Sequence, residues 1–393
     1  MKLLFKFAAA VFLMSAITVL PSFTKTQLPT PKSELTTDIP TEIQKIQVAI
    51  LLDVSNSMDG LIEQAKAQLW NMVSVMGKAK CGNQHVAPQI EIALYEYGRS
   101  SNDPKEGFVK QINSFTNDLD QVSKNLFNLS TNGGDEYCGH VIFSSLEELK
   151  WDPSNNNYKV IFIAGNEDFL QGDVVYTKAC EDANKKGVVV NTIYCGDRMQ
   201  GIKEHWNLNA ECGQGNYTNI SQDEKIQEIP TPYDSVILSL NTKLNGTYIG
   251  YGSMGAGNLA KQEEVDRMNY SMSPQAATKR AAVKGNKNLY NNESWDLVDA
   301  VKSDSTIISK LDRKTLSPEL QKKSSKELGE LVQVKTKERG LIQKEISDLN
   351  TKRENFIAGE KAKNASIKNA STLESEVEKM IRAQARRYKM VIE

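Results

Sequence analysis

The sequence predicts an α/β fold with a mostly parallel central sheet, followed by an α-helical, coiled-coil-like C-terminal extension. In the first 225 residues, short apolar runs alternate with segments whose apolar residues recur at helical spacing. This alternation favours parallel strands joined by right-handed helical crossovers. From residue 317 onwards the chain is highly charged and nearly free of proline and glycine, which predicts long helices.

The bulk composition narrows the class of protein. A length of 393 residues predicts about two structural units. The 48 basic and 49 acidic residues leave a net charge of −1, so no overall charge attracts nucleic acid. An apolar content of 39% with 25% charged residues fits a globular protein that carries solvated helices.

The N-terminus has the pattern of an export signal. Lys2 and Lys6 precede an apolar run at 7–20, which is short for a bilayer-spanning helix of about 20 apolar residues. We predict a signal peptide at 1–24 and a proline- and threonine-rich linker at 25–43. An uncleaved anchor, which would associate the protein with a membrane, is the alternative. Both interpretations predict an extracytoplasmic protein of the periplasm or cell envelope.

Residues 44–225 hold the predicted α/β domain. Its strands are nearly continuous apolar runs, as expected for a sheet covered on both faces. Its helices show one apolar stripe each. The predicted strands lie at 46–52, 89–97, 108–112, 159–164, 187–194 and 216–220, and the predicted helices at 61–76, 119–129, 141–149, 174–185 and 201–210.

The remaining residues divide into a helical and loop-rich extension at 226–316 and a charged helical region at 317–393. The glycine-rich stretch at 246–257 is interpreted as a loop, because its glycines do not follow a strand as in dinucleotide-binding proteins. In the last region an imperfect heptad pattern leaves two alternatives open, a coiled coil that forms a homo-oligomer and a helical hairpin folded against its neighbours. Apolar residues keep the heptad register at four positions: Leu328, Ile342, Leu349 and Phe356.

Five cysteines become disulfide candidates outside the cytoplasm. Cys138 and Cys195 are both expected at the carboxyl-end face of the sheet, whereas Cys81 is expected at the far end of the first helix. The Cys138–Cys195 pairing is therefore favoured over Cys81–Cys138. Zinc bound by Cys81 and His85 together with Cys138 and His140 is disfavoured, because the same topology separates these two pairs.

A candidate site follows the first predicted strand. Asp53, Ser55 and Ser57 form a D-x-S-x-S motif between this strand and the first helix. Ligand sites of open α/β sheets lie beyond the carboxyl ends of the strands. One carboxylate and two hydroxyls are hard oxygen ligands, which suit a divalent cation such as Mg²⁺, Mn²⁺ or Ca²⁺.

This motif resembles the start of the metal-ion-dependent adhesion site of the von Willebrand factor A (vWA) domain family. The resemblance covers residues 44–225 and implies a Rossmann-like fold, a divalent cation and a protein partner that offers an acidic residue to it. The stretches TNGGDEYCG and FIAGNEDF resemble an exported bacterial subgroup with a helical C-terminal extension.

Two loops depart from the family pattern. The second loop has Asp135 where the family has a threonine, although Thr131 lies nearby. The third has Gly165 where the family has an aspartate. The site would then be held by Asp53, Ser55, Ser57 and Asp135, supported by Asn166 or Glu167. Alternatively, these side chains only cap the first helix and pin the loops.

These observations favour a non-enzymatic, extracytoplasmic binding or scaffold protein. The sequence has no P-loop, no G-x-S-x-G elbow and no H-E-x-x-H motif. A metal-assisted hydrolase is one alternative, in which His140 would act as a base beside Glu136 and Asp53. A structural envelope spacer, in which the vWA domain is inert, is the other.

Overall fold

The computed structural model describes residues 43–81, 87–221, 228–363 and 373–392. The predicted signal peptide and nearly all of the predicted linker lie outside these ranges. The described residues from 43 onwards belong to one compact unit. Within the described ranges, no helix combines the length and apolar character that a membrane span requires.

A six-stranded sheet forms the centre of the molecule. Its strand order is β4-β3-β1-β5-β6-β7, and β1 pairs in parallel with both β3 and β5. The edge strand β4 is antiparallel to β3. A separate pair joins β2 to β8. The strands are β1 (Lys45–Asp53), β2 (Ala79–Cys81), β3 (Gln89–Tyr97), β4 (Lys110–Thr116), β5 (Tyr158–Gly165), β6 (Val189–Cys195), β7 (Gln214–Ile220) and β8 (Met390–Ile392).

Helices cover both faces of this sheet and form the C-terminal extension. They are α1 (Asp59–Gly77), α2 (Leu119–Phe127), α3 (Cys138–Glu148), α4 (Tyr176–Lys186), α5 (Arg198–Lys203), α6 (Trp206–Cys212), α7 (Asp234–Asn245), α8 (Gly255–Met272), α9 (Pro274–Lys284), α10 (Leu297–Ser303), α11 (Ile307–Lys310), α12 (Pro318–Gln321), α13 (Ser325–Lys363) and α14 (Leu373–Ala385). The predicted fold class is confirmed, and the single helix predicted at 201–210 is divided into α5 and α6.

Strand β1 shows why this sequence forms a buried parallel strand. Successive side chains of a strand point to opposite faces. Ile50 and Leu52 pack in the core that includes α1 and α2, whereas Leu51 packs in the core on the other face, with α3 and α4. Both faces are therefore apolar, and the strand reads as a continuous apolar run.

The C-terminal residues complete the core of the α/β region. Leu373, Val377 and Ile381 of α14 are buried in the same core as α1 and β1. Gln384 accepts a hydrogen bond from the Tyr158 hydroxyl (2.8 Å). Strand β8 pairs with β2 immediately after α14, with Met390 opposite Cys81. The C-terminal segment 373–392 thus shares one hydrophobic core with β1 and α1, which the sequence did not predict.

Helix α13, 39 residues long, packs against the chain's own helices. Leu328 and Ile342, two of the heptad positions, are buried in intramolecular cores. Arg339 forms a buried ion pair with Asp296 (2.6 Å). The second alternative was a helical hairpin folded against its neighbours; α13 does pack against its neighbours, but as one continuous helix. A coiled-coil homo-oligomer stays a prediction.

The predicted Cys138–Cys195 disulfide is wrong. Cys180 of α4 is bonded to Cys212 at the end of α6, with the two Cα atoms 5.6 Å apart. Cys138 and Cys195 are free and belong to cores on opposite faces of the sheet. Side-chain alternation causes this separation, because Tyr194 faces the Cys138 side and Cys195 therefore faces away.

Candidate metal site at the carboxyl end of the sheet

The first loop brings its three oxygen-bearing side chains together. Strand β1 ends at Asp53, and a 3₁₀ turn (Asn56–Met58) leads directly into α1. The Ser55 amide donates to Asp53 Oδ1 (2.7 Å), and the Ser55 and Ser57 hydroxyl oxygens are 3.3 Å apart. The motif therefore forms a compact group of oxygens at the end of a central strand.

Asp53 is a buried carboxyl group with an uncompensated oxygen. Its side chain is fully buried, and among the described residues no group forms a hydrogen bond to Oδ2. Burial raises the pKa of Asp53 to about 7, although hydrogen bonds from Ser55 lower it. The Glu167 charge raises this pKa further, and the Asn166 amide lowers it. Such a group is stabilised either by a proton or by a cation.

In the second loop, Glu136 rather than Asp135 faces Asp53. Glu136 is buried, whereas Asp135 is exposed. A Cβ atom at Gly98 would lie 2.8 Å from both Asp53 Oδ1 and Glu136 Cγ, so the two acidic side chains border the same small space. Burial and then the Asp53 charge raise the pKa of Glu136 to about 8. The structure therefore places Glu136 beside Asp53, whereas the carboxyl of the predicted ligand Asp135 is exposed.

The third loop explains why a glycine replaces the family's aspartate. A Cβ atom at Gly165 would collide with the Tyr97 hydroxyl and lie 3.1 Å from Asp53 Oδ2. Tyr97 donates that hydroxyl to the Ala164 carbonyl oxygen (3.0 Å), which holds the ring in place. A side chain at position 165 on β5 is thus excluded by Tyr97 of β3, which reaches across the end of the intervening strand β1.

The other predicted residues lie around this group. Ser57 donates to Asn166 Oδ1 (3.3 Å), and Glu167 is exposed at the rim. The Thr131 hydroxyl donates to Asp59 at the start of α1, so it is engaged away from Asp53. His140, proposed as a base in the hydrolase alternative, has its ring against Gly107 in the loop before β4.

The donor set fits a small, hard dication. Two serine hydroxyls and two buried carboxyls supply only oxygen atoms, and Asp53 Oδ2 has an unused lone pair. A divalent cation would offset the repulsion between Asp53 and Glu136. Among the described residues, no group of three or more His, Cys, Asp or Glu side chains is placed to hold a metal ion, so any such site depends on the serines.

The sequence analysis places Glu136 near Asp53 only in the hydrolase alternative and not among the metal ligands, and it gives Tyr97 no part in this site. Glu136 follows Asp135 directly, and nothing in the residue pattern indicates which carboxyl faces inward. Tyr97 ends the predicted strand at 89–97, and the residue pattern predicts for its side chain only a place in the sheet. A signal for Tyr97 does exist, since a missing side chain at Gly165 implies that a neighbour occupies the space.

Comparisons with known proteins give similarity in fold. No family model matches the sequence, and no curated protein matches it. Proximal thread matrix protein 1 from the mussel byssus, in a structure with a zinc-occupied MIDAS motif, is 14% identical with a TM-score of 0.35, covering 46% of this chain and 43% of that one. The SpRpn10 VWA domain is 14% identical with a TM-score of 0.34, covering 47% and 91%.

A third similar structure, an aerotolerance-related membrane protein from Bacteroides fragilis, is 16% identical with a TM-score of 0.32, covering 45% and 92%. The match to the mussel protein spans less than half of that protein's length. At these identities the likeness concerns the fold alone. The mostly parallel sheet, its strand order and its antiparallel edge strand match a vWA-type, Rossmann-like fold.

Proposed function

We propose that this chain is an extracytoplasmic, non-enzymatic binding protein that holds a divalent cation at the end of β1 and engages a protein partner there. The observation that carries the proposal is the buried Asp53 Oδ2 without a hydrogen-bond partner among the described residues. When bound, the cation would supply an open coordination position that an acidic side chain of the partner completes.

Four side chains would hold the cation: Asp53, Ser55, Ser57 and Glu136. Asp53 and Glu136 supply the negative charge, and the two hydroxyls supply neutral oxygens. Asn166 positions Ser57 through its hydrogen bond. The proposed set therefore contains Glu136 in place of the exposed Asp135.

The surface beside the site supports a protein as the partner. Leu170, Met199 and Ile202 are exposed apolar side chains on the loop after β5 and on α5. These segments are in contact, since the Phe169 amide donates to the Glu204 carbonyl oxygen (2.9 Å). Exposed apolar groups next to a polar site are typical of protein interaction surfaces.

The proposed location rests on two features of the chain. The N-terminal residues have the pattern of an export signal. The Cys180–Cys212 disulfide is the kind of bond that persists in oxidising compartments.

Titration calorimetry of the full chain with Mg²⁺, Mn²⁺ and Ca²⁺ tests the cation site. We expect saturable binding of at least one ion, weakened roughly tenfold or more by Ser55→Ala and Glu136→Gln, since each loses one direct ligand. Asp135→Asn is the matched control, because its carboxyl is exposed and adjacent in sequence. Absence of binding would leave these side chains only a role in pinning the loops, and weakening by Ser55→Ala and Asp135→Asn but not by Glu136→Gln would restore the ligand set predicted from sequence.

Partner binding is tested separately, with the immobilised full chain and envelope extracts. We expect a retained protein that is released by a chelator and is absent with Asp53→Asn. Retention that ignores both the chelator and this substitution would favour the structural spacer.

A further inference from the structure

A lysine is completely buried in the helical extension. Lys284 lies in the last turn of α9, and its side chain has no exposed surface. The ring centroid of Tyr290 is 6.0 Å from the Lys284 Nζ atom. Lysine is almost never buried to this degree unless it is paired, because its charged form loses hydration. A buried amine is also more readily deprotonated, which is how proteins prepare a lysine as a nucleophile.

Asparagine and aspartate side chains from two other helices bind this amine. Lys284 Nζ donates to Asn245 Oδ1 at the end of α7 (2.5 Å) and to Asp266 Oδ2 on α8 (3.0 Å). Asn245 Nδ2 donates to the same Asp266 oxygen (2.6 Å). Arg280 Nε donates to the other oxygen (2.5 Å), which holds the carboxylate in place. One carboxylate oxygen therefore contacts both the amine nitrogen and the amide nitrogen.

The Lys284 amine lies beside the Asn245 amide carbon. A C=O bond is about 1.23 Å long, so an amine 2.5 Å from Oδ1 is at most about 3.7 Å from Cγ. Reacting atoms in a near-attack arrangement are roughly 3–3.5 Å apart, so a small movement brings these two atoms within reaction distance. Both groups belong to one folded chain, and such fixed pairs react at effective concentrations far above those of free molecules.

The surroundings of Lys284 favour its neutral form. Burial lowers the pKa of its ammonium to about 8. The Asp266 charge opposes this decrease, the Arg280 charge adds to it, and the Asp120 charge opposes it again. About one chain in ten then carries the neutral amine at pH 7. The neutral amine is the form that attacks a carbonyl carbon, so the geometry and the charges favour the same reaction.

We propose that Lys284 and Asn245 form an intramolecular isopeptide bond after folding, with Asp266 as the group that transfers the proton. The neutral Lys284 Nζ atom attacks Asn245 Cγ, a C–N bond forms between them, and the bond between Cγ and Nδ2 breaks. Asp266 Oδ2 accepts a proton from Nζ and gives it to Nδ2, which leaves as ammonia. An amine and an amide thus become an amide and ammonia, so no oxidant, reductant or external reactant is consumed. The product links the end of α7 covalently to the end of α9.

Mass spectrometry of the full chain tests this proposal, after N-terminal sequencing and reduction of the disulfide. We expect the intact mass to be lower than the sequence requires by about 17 Da, the mass of ammonia. Tryptic digestion should yield a branched peptide that contains both Asn245 and Lys284. Lys284→Arg and Asp266→Ala should each restore the full mass. Asn241→Ala is the matched control and should keep the mass loss, because the Asn241 amide donates to Asp266 Oδ2 (3.0 Å) but forms no hydrogen bond with Lys284 among the described residues.

A wild-type chain of full mass would overturn the proposal by itself, so the test stays valid if a variant fails to fold. Asn245 also precedes Gly246, and a cyclic imide between these two neighbours would release ammonia as well. An imide would give no branched peptide and would persist in Lys284→Arg, and this outcome would also overturn the proposal. A branched peptide that still forms in Asp266→Ala would refute the role given to that carboxylate. The result is independent of the candidate cation site, since none of its residues takes part.

Discussion

Asp53 and Glu136 are two acidic residues whose surroundings oppose their ionised forms. Burial raises the pKa of each, and the Asp53 charge raises that of Glu136 further. In the unfolded chain both carboxyls ionise near their ordinary pKa values, 3.8 and 4.5. At pH values between these ordinary pKa values and the raised pKa values of the folded state, the folded protein therefore binds more protons than the unfolded chain.

This difference predicts that, without divalent cations, the protein becomes less stable as the pH rises. The stabilisation from the raised pKa values is fully present below about pH 4 and is lost as the pH passes the folded values of about 7 for Asp53 and 8 for Glu136. Thermal denaturation in chelator between pH 5 and 8.5 should show a falling Tm. Asp53→Asn should flatten this decrease.

Asp135→Asn is again the control, because its exposed carboxyl should leave the pH dependence as in the wild type. The change in Tm of Asp53→Asn over this pH range is subtracted from that of the wild type. A remaining wild-type Tm that stays constant or rises with pH would contradict the assignment of Asp53 and Glu136 as buried acids.

The first loop of the candidate site could be predicted from sequence, whereas the other two loops could not. Asp53, Ser55 and Ser57 are adjacent in the chain, so local backbone geometry alone brings them together. The inward position of Glu136 depends on how the second loop crosses Gly98, and the glycine at 165 depends on Tyr97. Both are contacts between segments far apart in sequence.

At the scale of elements, α14 is attached to the sheet by a buried polar network as well as by apolar packing. Gln384 accepts from the Tyr158 hydroxyl (2.8 Å) and donates to Asn191 Oδ1 (2.6 Å) and Asn216 Oδ1 (2.8 Å). These partners come from β5, β6 and β7. One side chain therefore links the C-terminal helix to three strands of the sheet.

Substituting Gln384→Leu is expected to destabilise the protein strongly. The Tyr158 hydroxyl and Asn191 would be left buried without this partner, and each such group costs about 1–3 kcal/mol. Urea denaturation should show a lower midpoint with an unchanged slope. Gln343→Leu on α13, whose side chain makes one long hydrogen bond (3.4 Å), is the control and should have a much smaller effect. Equal effects of the two substitutions would refute the role given to Gln384.

At the scale of the whole molecule, the core of the α/β region includes residues from the C-terminal segment 373–392. Helix α14 covers part of the sheet face that α1 also covers, and β8 pairs with β2. The division into an α/β domain at 44–225 and separate C-terminal regions stays a prediction. The packing shows that residues 373–392 belong to the same hydrophobic core as β1.

A fragment that ends at residue 225 is therefore expected to fold poorly, because apolar core residues of α1 and the sheet would be exposed to water. Size-exclusion chromatography and circular dichroism should show aggregation or lost structure. Adding a peptide of residues 373–393 should partly restore folding. The same peptide with Val377→Asp and Ile381→Asp is the control and should fail. A well-folded fragment without any peptide would overturn this account.

The sequence by itself determined the fold class, the identity of the central strands and the position of the first motif, because apolar periodicity and local spacing encode them directly. Only the tertiary structure decided that Cys180 pairs with Cys212, that Glu136 faces Asp53, and that α14 returns to the sheet. These features are set by which face a residue occupies after distant segments pack together. Neighbouring residues of a strand lie on opposite faces of the sheet, and only the tertiary packing decides which of these faces a distant residue such as Cys138 covers.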